Sequence, residues 1–428
     1  MRQIVSTLRA TALALPLITF AAAPVQADEV ADFYKGRTFE VLIGGSAGGG
    51  YDFYGRSLAR FIGNHIPGKP TVVAKNMPGA GTLLLANWLY NVGPKDGTAL
   101  GHIGRGIPLQ KLLGKKGVKI DGNKYHWVGS LNKESSVCVV ADHAQTKNFD
   151  DFLNKTTIVG GTGRTSNNVV FALFLKNVLG AKLRIIAGYP GTRQATLAME
   201  NKEIDGICGW SWSSVMAQKR DWYEAGRLKV LVQMATEKHP DLPNVPLIME
   251  LASNAREQKM MKALFLPERM GRPFALPPGT PRARVAAVRK AFDDTVKDPA
   301  FLAYARKVKM DLQPISGEEA QQIVATVLST SKETIAHLKK VLSSKGNVEK
   351  AKLTYVSVSG KIVEIKKKGR RLAIMNGGKK AKTKVSGSRT KIFVDGKKAK
   401  RKAITMGMNC IFTYLGPGTE SKKIECKS

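Results

Sequence analysis

Residues 39–52 carry the sequence FEVLIGGSAGGGYD, and this stretch decides how the chain begins to fold. The apolar run 39–43 predicts a buried strand, and Tyr54, Leu58 and Phe61 then recur at the spacing of one helix face. Asp52 is expected to cap the N-terminus of that helix. The sequence therefore predicts a strand, a loop of nearly bare backbone and a helix in succession.

The glycine-rich loop at residues 44–50 suits a bound anion. Glycines lack Cβ, so main-chain N–H groups can approach a ligand closely, and the N–H groups at a helix start carry partial positive charge. A phosphate-binding loop does not fit, because Tyr51 and Asp52 stand where that motif needs Lys and then Ser or Thr, and the glycine spacing also fails the dinucleotide pattern. We expect a smaller anion such as a carboxylate; an ordinary tight turn without ligand is the alternative.

The first 27 residues have the composition of a secretory signal peptide. A basic segment at 1–9 precedes an apolar one at 10–23, and Val25-Gln26-Ala27 places small residues where signal peptidase reads. The apolar segment is shorter than the about 18 residues that a membrane-spanning helix needs. We therefore expect residues 1–27 to be cleaved and the mature protein to be soluble in the periplasm.

Positive charge is concentrated at the C-terminus. The net charge of the 428 residues is +35, and residues 347–428 hold 22 Lys and Arg against 5 Asp and Glu, a net of +17. The last part of the chain is therefore a different kind of segment from the body. The roughly 400 residues of the mature chain are enough for two or three domains.

Alternating strand and helix patterns run through the body of the chain. This alternation predicts parallel sheets with helices on both faces, where ligands bind beyond the carboxyl ends of the strands. Arg105 follows a strand predicted at 99–103 and so lies at such an end. Its guanidinium is suited to hold a ligand carboxylate through two parallel hydrogen bonds. A solvated arginine on a loop is the alternative.

A second candidate binding loop lies in the next set of units. A strand predicted at 156–159 is followed by small and polar residues at 160–168 and by a helix at 169–179. Further along, the strand predicted at 204–208 runs into Trp210. We expect Trp210 to wall a pocket for an apolar part of the ligand, with ordinary core packing as the alternative.

The sequence shows no set of residues typical of catalysis. Its six histidines are scattered, and it lacks the H-E-x-x-H and G-x-S-x-G motifs. We therefore expect binding without chemistry, no cofactor and no metal. The four cysteines make two candidate disulfides in an oxidising compartment, Cys138 with Cys208 and Cys410 with Cys426, and four buried free thiols are the alternative.

Eight short motifs stand in a fixed order along residues 33–342. They are GGGYD (48–52), NMPGAG (76–81), PKDGT (94–98), GYPG (188–191), EIDG (203–206), GRL (226–228), LPNVP (242–246) and PPGTP (277–281). In this order and spacing they closely resemble the extracytoplasmic solute receptors of tripartite tricarboxylate transporters, also called the Bug family.

The resemblance implies an α/β, two-lobed periplasmic binding protein of type II-like architecture, whose lobes close on a ligand by hinge motion. Lobe one would comprise residues 28–130 and 236–344, and lobe two residues 131–235. Residues 345–350 would link this body to a C-terminal domain at 351–428. In the family, two glycine-rich loops hold a ligand carboxylate through main-chain N–H groups and ordered waters.

Those two family loops map onto residues 46–52 and 161–168 of this chain. The candidate ligand-binding residues are therefore Ser46, Gly48, Gly49, Tyr51, Asp52, Thr162, Gly163, Thr165, Ser166 and Asn167, to which residue chemistry adds Arg105 and Trp210. The resemblance implies two partners, a carboxylated small molecule and the membrane subunits of a tripartite tricarboxylate-type transporter. We expect the receptor to be a monomer. An enzyme acting on a carboxylated substrate is the alternative from another functional class.

The C-terminal segment predicts a small all-β barrel of six short strands separated by Gly, Asn and Asp turns. Its last two strands would form a hairpin that places Cys410 opposite Cys426.

The lysines of this barrel suggest a second functional hypothesis, adhesion to a polyanionic envelope surface. They fall in three groups, at 366–368, 379–384 and 397–402. A barrel that is merely made soluble by its lysines is the alternative. Nucleic acid is not an expected partner, because the segment has few aromatic residues and the protein is exported.

Overall fold

The computed structural model describes residues 29–343, 346–387 and 389–427, which form three β-sheets with helices packed around two of them. The predicted signal peptide at 1–27 lies outside the described residues. In the described part of the chain, no helix is both long and apolar enough to cross a lipid bilayer.

The body of the chain alternates strands and helices. Its strands are β1 (Thr38–Ile43), β2 (Thr71–Asn76), β3 (Ala99–His102), β4 (His126–Ser130), β5 (Ser136–Ala141), β6 (Thr157–Gly161), β7 (Leu183–Ala187), β8 (Gly206–Ser211), β9 (Leu228–Met234), β10 (Pro273–Leu276), β11 (Ile315–Ser316) and β12 (Val348–Lys350). Its helices are α1 (Glu29–Tyr34), α2 (Gly50–Phe61), α3 (Leu83–Asn91), α4 (Ile107–Leu112), α5 (Phe149–Asn154), α6 (Asn167–Val178), α7 (Thr192–Glu200), α8 (Trp212–Glu224), α9 (Ala255–Phe265), α10 (Arg282–Thr295), α11 (Pro299–Lys307), α12 (Gly317–Leu328) and α13 (Lys332–Val341).

Two six-stranded sheets define two lobes. The first has the order β11-β4-β10-β3-β1-β2, in which β1 runs parallel to β2 and β3 while β10 runs antiparallel to β3 and β4. The second has the order β12-β7-β6-β8-β5-β9, in which β5 runs antiparallel to both of its neighbours. The parallel strands end at the side of each sheet where α2 and α6 begin, so the two glycine-rich loops lie at carboxyl ends of strands.

The opening strand and helix form where the sequence predicts them, with one shift at the helix start. β1 buries Phe39, Val41 and Ile43 completely. α2 begins at Gly50 after an extended Gly49, so Asp52 lies inside the first turn and does not cap the helix as expected. Its carboxylate accepts the Gly48 N–H at 2.8 Å and so closes the loop back onto the helix.

The return segment of the chain is shared between the lobes, which corrects the expectation that residues 236–344 belong wholly to the first. α10, α11 and α12 pack on the first sheet, but α9 and α13 lie in the core of the second lobe. The Phe265 ring of α9 meets Phe171 and Phe174 of α6 at centroid distances of 4.9 and 5.5 Å. Because its apolar face packs on α6, α9 belongs to the second lobe.

The expected linker at 345–350 contains a strand. Val348, Glu349 and Lys350 form β12, which pairs in parallel with β7 at the edge of the second sheet. Ala351 extends this pairing by donating its N–H to the Ala187 carbonyl at 2.8 Å. The start of the C-terminal domain is thus fixed to the second lobe.

The C-terminal domain is a separate seven-stranded sheet. Its strands are β13 (Val356–Lys366), β14 (Arg371–Asn376), β15 (Lys379–Lys384), β16 (Lys391–Val394), β17 (Lys397–Lys398), β18 (Asn409–Tyr414) and β19 (Ser421–Lys427), in the order β15-β14-β13-β18-β19-β16-β17. The sheet curls, because Lys384 on β15 donates its N–H to Thr419 at 2.9 Å, just before β19. It encloses a small core that includes Ile374, Phe412 and Ile424.

Both cysteine pairs are bonded in the structure. Cys410 and Cys426 face one another on the antiparallel strands β18 and β19 and form a disulfide. Cys138 on β5 and Cys208 on β8 form the other. One bridge therefore lies in the C-terminal domain and one in the second lobe.

Replacing both Cys410 and Cys426 by Ser is expected to lower the free energy of unfolding of the C-terminal domain by about 3 kcal/mol. The bridge closes a segment with a sequence separation of 16, and opening it returns loop entropy to the unfolded chain. Hydrogen exchange of peptides from residues 356–427 across a urea series measures the change. The Cys138→Ser/Cys208→Ser variant is the control; equal exchange of these peptides in both variants would contradict the expectation.

Candidate functional site

A cavity of about 400 Å³ lies between the two lobes. Both lobes line it with loops that follow strands. The lining segments are 44–46, 49–51, 78–82 and 104–107 from the first lobe and 162–163, 165–168, 189–192 and 209–211 from the second, together with Ser214, Gln218 and Arg272.

The helices that begin at the cavity lack side-chain caps. The residues that precede α2, α6 and α7 are Gly49, Ser166 and Gly191, and no side chain of these accepts a hydrogen bond from its helix. Five helices that begin elsewhere are capped by side chains, those of Asn148, Asn254, Asp298, Ser316 and Ser331. Uncapped N–H groups, with their partial positive charge, therefore converge on the cavity from both lobes.

Several of these N–H groups have no acceptor in the described chain. They include the N–H groups of Gly50 and Tyr51 on α2 and of Asn167 and Asn168 on α6. These residues are only partly buried, so their N–H groups are free to bind a ligand or water.

The first glycine-rich loop (residues 44–50) is held from behind by Asp52. The Asp52 carboxylate accepts hydrogen bonds from Gly48 N–H at 2.8 Å, Arg56 Nε at 2.6 Å and Asn76 Nδ2 at 2.8 Å. Gly48 has φ of +86°, a conformation that favours glycine. Ser46, Gly49 and Tyr51 line the cavity, whereas Gly48 and Asp52 do not; these two shape the loop.

The second glycine-rich loop (residues 161–168) touches the first lobe. Thr162, Gly163, Thr165, Ser166 and Asn167 line the cavity. Thr165 Oγ1 donates to the carbonyl of Ala80 at 3.2 Å, and Asn167 Nδ2 donates to the Glu268 carboxylate at 3.0 Å. The structure thus shows the lobes in contact around the cavity.

Arg105 borders the cavity, but its guanidinium is already paired, which corrects its expected role. Nε and Nη2 donate to the two carboxylate oxygens of Glu268 at 2.5 and 2.7 Å, and Nη2 also reaches Ser136 Oγ at 2.8 Å. Burial by itself lowers the pKa of Arg105, but the Glu268 carboxylate raises it overall, so the arginine is charged. The carboxylate that Arg105 grips belongs to the protein and lies 163 residues away.

Trp210 lies in the wall of the cavity with 2% of its surface exposed. In the described part of the chain, its indole Nε1 has no hydrogen-bond partner. Trp210 also belongs to the apolar core of the second lobe, so core packing accounts for most of its surface and only a small part of it faces the cavity.

Arg272 is a cavity residue that sequence reasoning missed. Its Nη2 donates to the hydroxyls of Ser213 and Ser214 at 2.7 and 2.8 Å and lies 3.1 Å from the Glu134 carboxylate. The guanidinium carbon is 5.0 Å from the centre of the Tyr51 ring. The sequence signal was a lone arginine before an apolar strand. The segment 189–192 at the start of α7 also lines the cavity and was not among the candidate site residues.

His102 lies beneath the first loop. Its ring is 4.5 Å from the Tyr51 ring and stacks on Phe274 at 4.2 Å, and Nδ1 donates to the Pro273 carbonyl at 2.8 Å. Burial lowers the pKa of His102 to about 3, so the ring is neutral at physiological pH.

Replacing Glu268 by Leu is expected to lower the free energy of unfolding by about 3–5 kcal/mol, because Arg105 would be left as an unpaired buried charge. The double variant Arg105→Met/Glu268→Leu should cost less than Glu268→Leu alone, since it removes both charges. Urea unfolding measures both values. If Arg105→Met/Glu268→Leu were at least as unstable as Glu268→Leu, the destabilisation would not come from an unpaired charge on Arg105.

Lowering the pH from 7 to 5 is expected to cost about 2 kcal/mol of stability through His102. Its folded pKa of about 3 lies below the ordinary histidine pKa of 6.5, so the unfolded chain takes up the proton first as pH falls. The stability that comes from keeping His102 neutral is fully present above pH 6.5 and is lost progressively as the pH falls toward 3. Urea unfolding at several pH values should therefore show a shallower pH dependence for His102→Phe; an unchanged slope would contradict the assignment.

The comparison with protein families gives one match to the chain. The model of the tripartite tricarboxylate transporter family receptor, TctC, matches residues 64–340. A comparison with curated protein sequences gave no match.

Solved structures share the fold of the body. R. palustris Rpa4515 with adipate has a TM-score of 0.57 at 15% identity, covering 71% of this chain and 97% of that chain. The periplasmic binding protein BugD has a TM-score of 0.55 at 19% identity, covering 74% and 100%. MatC (Rpa3494) from Rhodopseudomonas palustris with bound malate has a TM-score of 0.55 at 20% identity, covering 72% and 99%. These likenesses confirm the predicted two-lobed α/β fold.

Proposed function

Because the chain belongs to the tripartite tricarboxylate transporter receptor family, we propose that it captures a carboxylated small molecule between its lobes and delivers it to a membrane transporter. Receptors of this family work in the periplasm. The proposal includes cleavage of the signal peptide at residues 1–27 and docking of the loaded receptor on the membrane subunits of a tripartite tricarboxylate-type transporter.

The observation that carries this function is the convergence of uncapped helix starts on one cavity. α2 begins there from the first lobe, and α6 and α7 begin there from the second. Each helix start stabilises a nearby anion by roughly 0.3–1 kcal/mol, and its N–H groups supply hydrogen bonds of fixed direction. A carboxylate that bridges the lobes would therefore favour their closure.

The charges of the cavity favour a modest anion over a highly charged one. Arg105 is balanced by Glu268, and Arg272 by Glu134, so these arginines add little net positive potential. Binding then depends on main-chain N–H groups and hydroxyls. A cavity of about 400 Å³ suits a small molecule. Adipate and malate, bound in two proteins of similar fold, are carboxylates of this class.

The proposed role is binding without chemistry. The family is a receptor family. The two arginines that line the cavity, Arg105 and Arg272, are paired with buried carboxylates, and His102 beneath the first loop is neutral and buried. The lysines of the C-terminal domain remain a separate hypothesis about a polyanionic surface.

A thermal-shift screen tests the proposed function. The mature protein is heated with malate, adipate, citrate or aspartate, and a ligand at about 100 times its dissociation constant should stabilise it by roughly 2.7 kcal/mol. Asp52→Ala should abolish most of that shift, because the first loop loses the carboxylate that holds Gly48.

Asp298→Ala is the matched control for this screen. Asp298 also accepts a main-chain N–H, that of Ala300 at 2.7 Å, but it caps α11 away from the cavity. This variant should be less stable yet keep the full ligand shift. If no carboxylate shifts the transition of the unmodified protein, the proposed ligand class is wrong.

A further inference from the structure

The C-terminal domain touches the first glycine-rich loop. Lys384, at the end of β15, donates from Nζ to the carbonyl of Ala47 at 3.0 Å. Ala47 lies between Ser46 and Gly49, which both line the cavity. The contact therefore acts on the backbone that forms the first-lobe side of the site.

The same edge of the domain also touches the second lobe. Arg193, in the first turn of α7, donates from Nη2 to the Pro417 carbonyl at 3.4 Å. A Cβ added at Gly416 would lie 3.5 Å from Leu197 Cδ1, one turn further along α7. One edge of the domain, made by residues 384 and 416–418, thus reaches both lobes.

These contacts meet where the two lobes approach each other. A Cβ added at Gly191 would lie 2.5 Å from Ser46 Oγ, and one added at Gly48 would lie 3.9 Å from Arg193 Nη1. Gly191 and Ser46 belong to opposite lobes and both line the cavity. The domain edge therefore covers the line along which the lobes must separate.

The charged form of Lys384 is disfavoured at its position. Partial burial and the nearby charges of Arg193 and Arg371 lower the pKa of its amine, while Asp52 and Glu420 act in the opposite direction. The hydrogen bond to Ala47 offsets part of this cost. Lys382, two residues earlier on the same strand, is exposed.

The domain is an addition to the part of the chain shared with the receptors. The family model ends at residue 340, and the three similar structures are covered over 97%, 100% and 99% of their own lengths by 71%, 74% and 72% of this chain. The contacts of Lys384 and Pro417 are therefore made by a segment outside the matched part.

We propose that the C-terminal domain is a clasp across the mouth of the cleft, with Lys384 as the residue that positions the first glycine-rich loop. The proposal rests on the proposed capture site and adds a control on its opening. The clasp is anchored to the second lobe, because β12 pairs with β7 and the Arg193 contact lies on α7. Opening the lobes must then break the hydrogen bond between Lys384 and Ala47.

Hydrogen exchange of the full-length protein without ligand tests the clasp. Lys384→Ala should speed exchange on the order of tenfold in residues 46–52, because a hydrogen bond from a charged donor is lost. It should also speed exchange in residues 162–168, which Lys384 does not touch, because the lobes separate more often. Lys384→Arg should restore slow exchange in both segments.

Lys382→Ala is the matched control, since it removes the same charge from the same strand. Faster exchange in 46–52 alone would reduce Lys384 to a local contact and overturn the clasp, and equal effects of the two alanine variants would overturn the positioning role. Because no ligand is present, either result stands apart from the carboxylate screen.

Discussion

Two buried ion pairs at the crossings between the lobes fix the geometry on which the site depends. Glu134 lies where the chain passes from β4 to β5, and Glu268 where it returns from α9 to β10. Each pairs with an arginine, Arg272 and Arg105 respectively, and the Nη2 atom of each arginine also donates to a serine hydroxyl of the second lobe. Pairs of this kind add little net stability, but they penalise any arrangement that leaves a buried charge unpaired. They therefore specify how the two sheets meet.

With its arginines neutralised in this way, the cavity relies on helix ends for its positive potential. A side-chain cap typically stabilises a helix by about 1 kcal/mol. Five helices away from the cavity have such caps, for example at Asn254 and Ser331, although α10 has none, whereas α2, α6 and α7 all lack them. The molecule therefore forgoes stability at the positions where N–H groups face the cavity. A bound anion would take the place of the missing caps.

The local features of this site were predictable from sequence, and its long-range pairings were not. Apolar runs followed by glycines predict β1 and the loop after it, because period and glycine freedom are local properties. The prediction that Arg105 holds a ligand carboxylate did not anticipate its pairing with Glu268, because nothing near Arg105 in the sequence indicates that partner. The assignment of α9 to the first lobe was wrong for a similar reason. An amphipathic pattern shows that Phe265 is buried, but it does not show against which sheet. Asp52 was expected to cap α2, but the cap position is Gly49 and Asp52 lies in the first turn of the helix.

The pairing of the short strand β12 with β7 leaves the C-terminal domain on a short tether to the second lobe. After Lys350 only residues 351–355 precede β13, and five residues span at most about 17 Å. A partner tethered so closely meets its target at an effective concentration on the order of millimolar or higher. In the proposed clasp, each opening of the cleft would therefore be followed by a rapid return of Lys384 to Ala47. The strength of the hydrogen bond between Lys384 and Ala47 would then set how long the lobes stay apart. The tether at β12 would keep the domain attached to the receptor even when this hydrogen bond is broken.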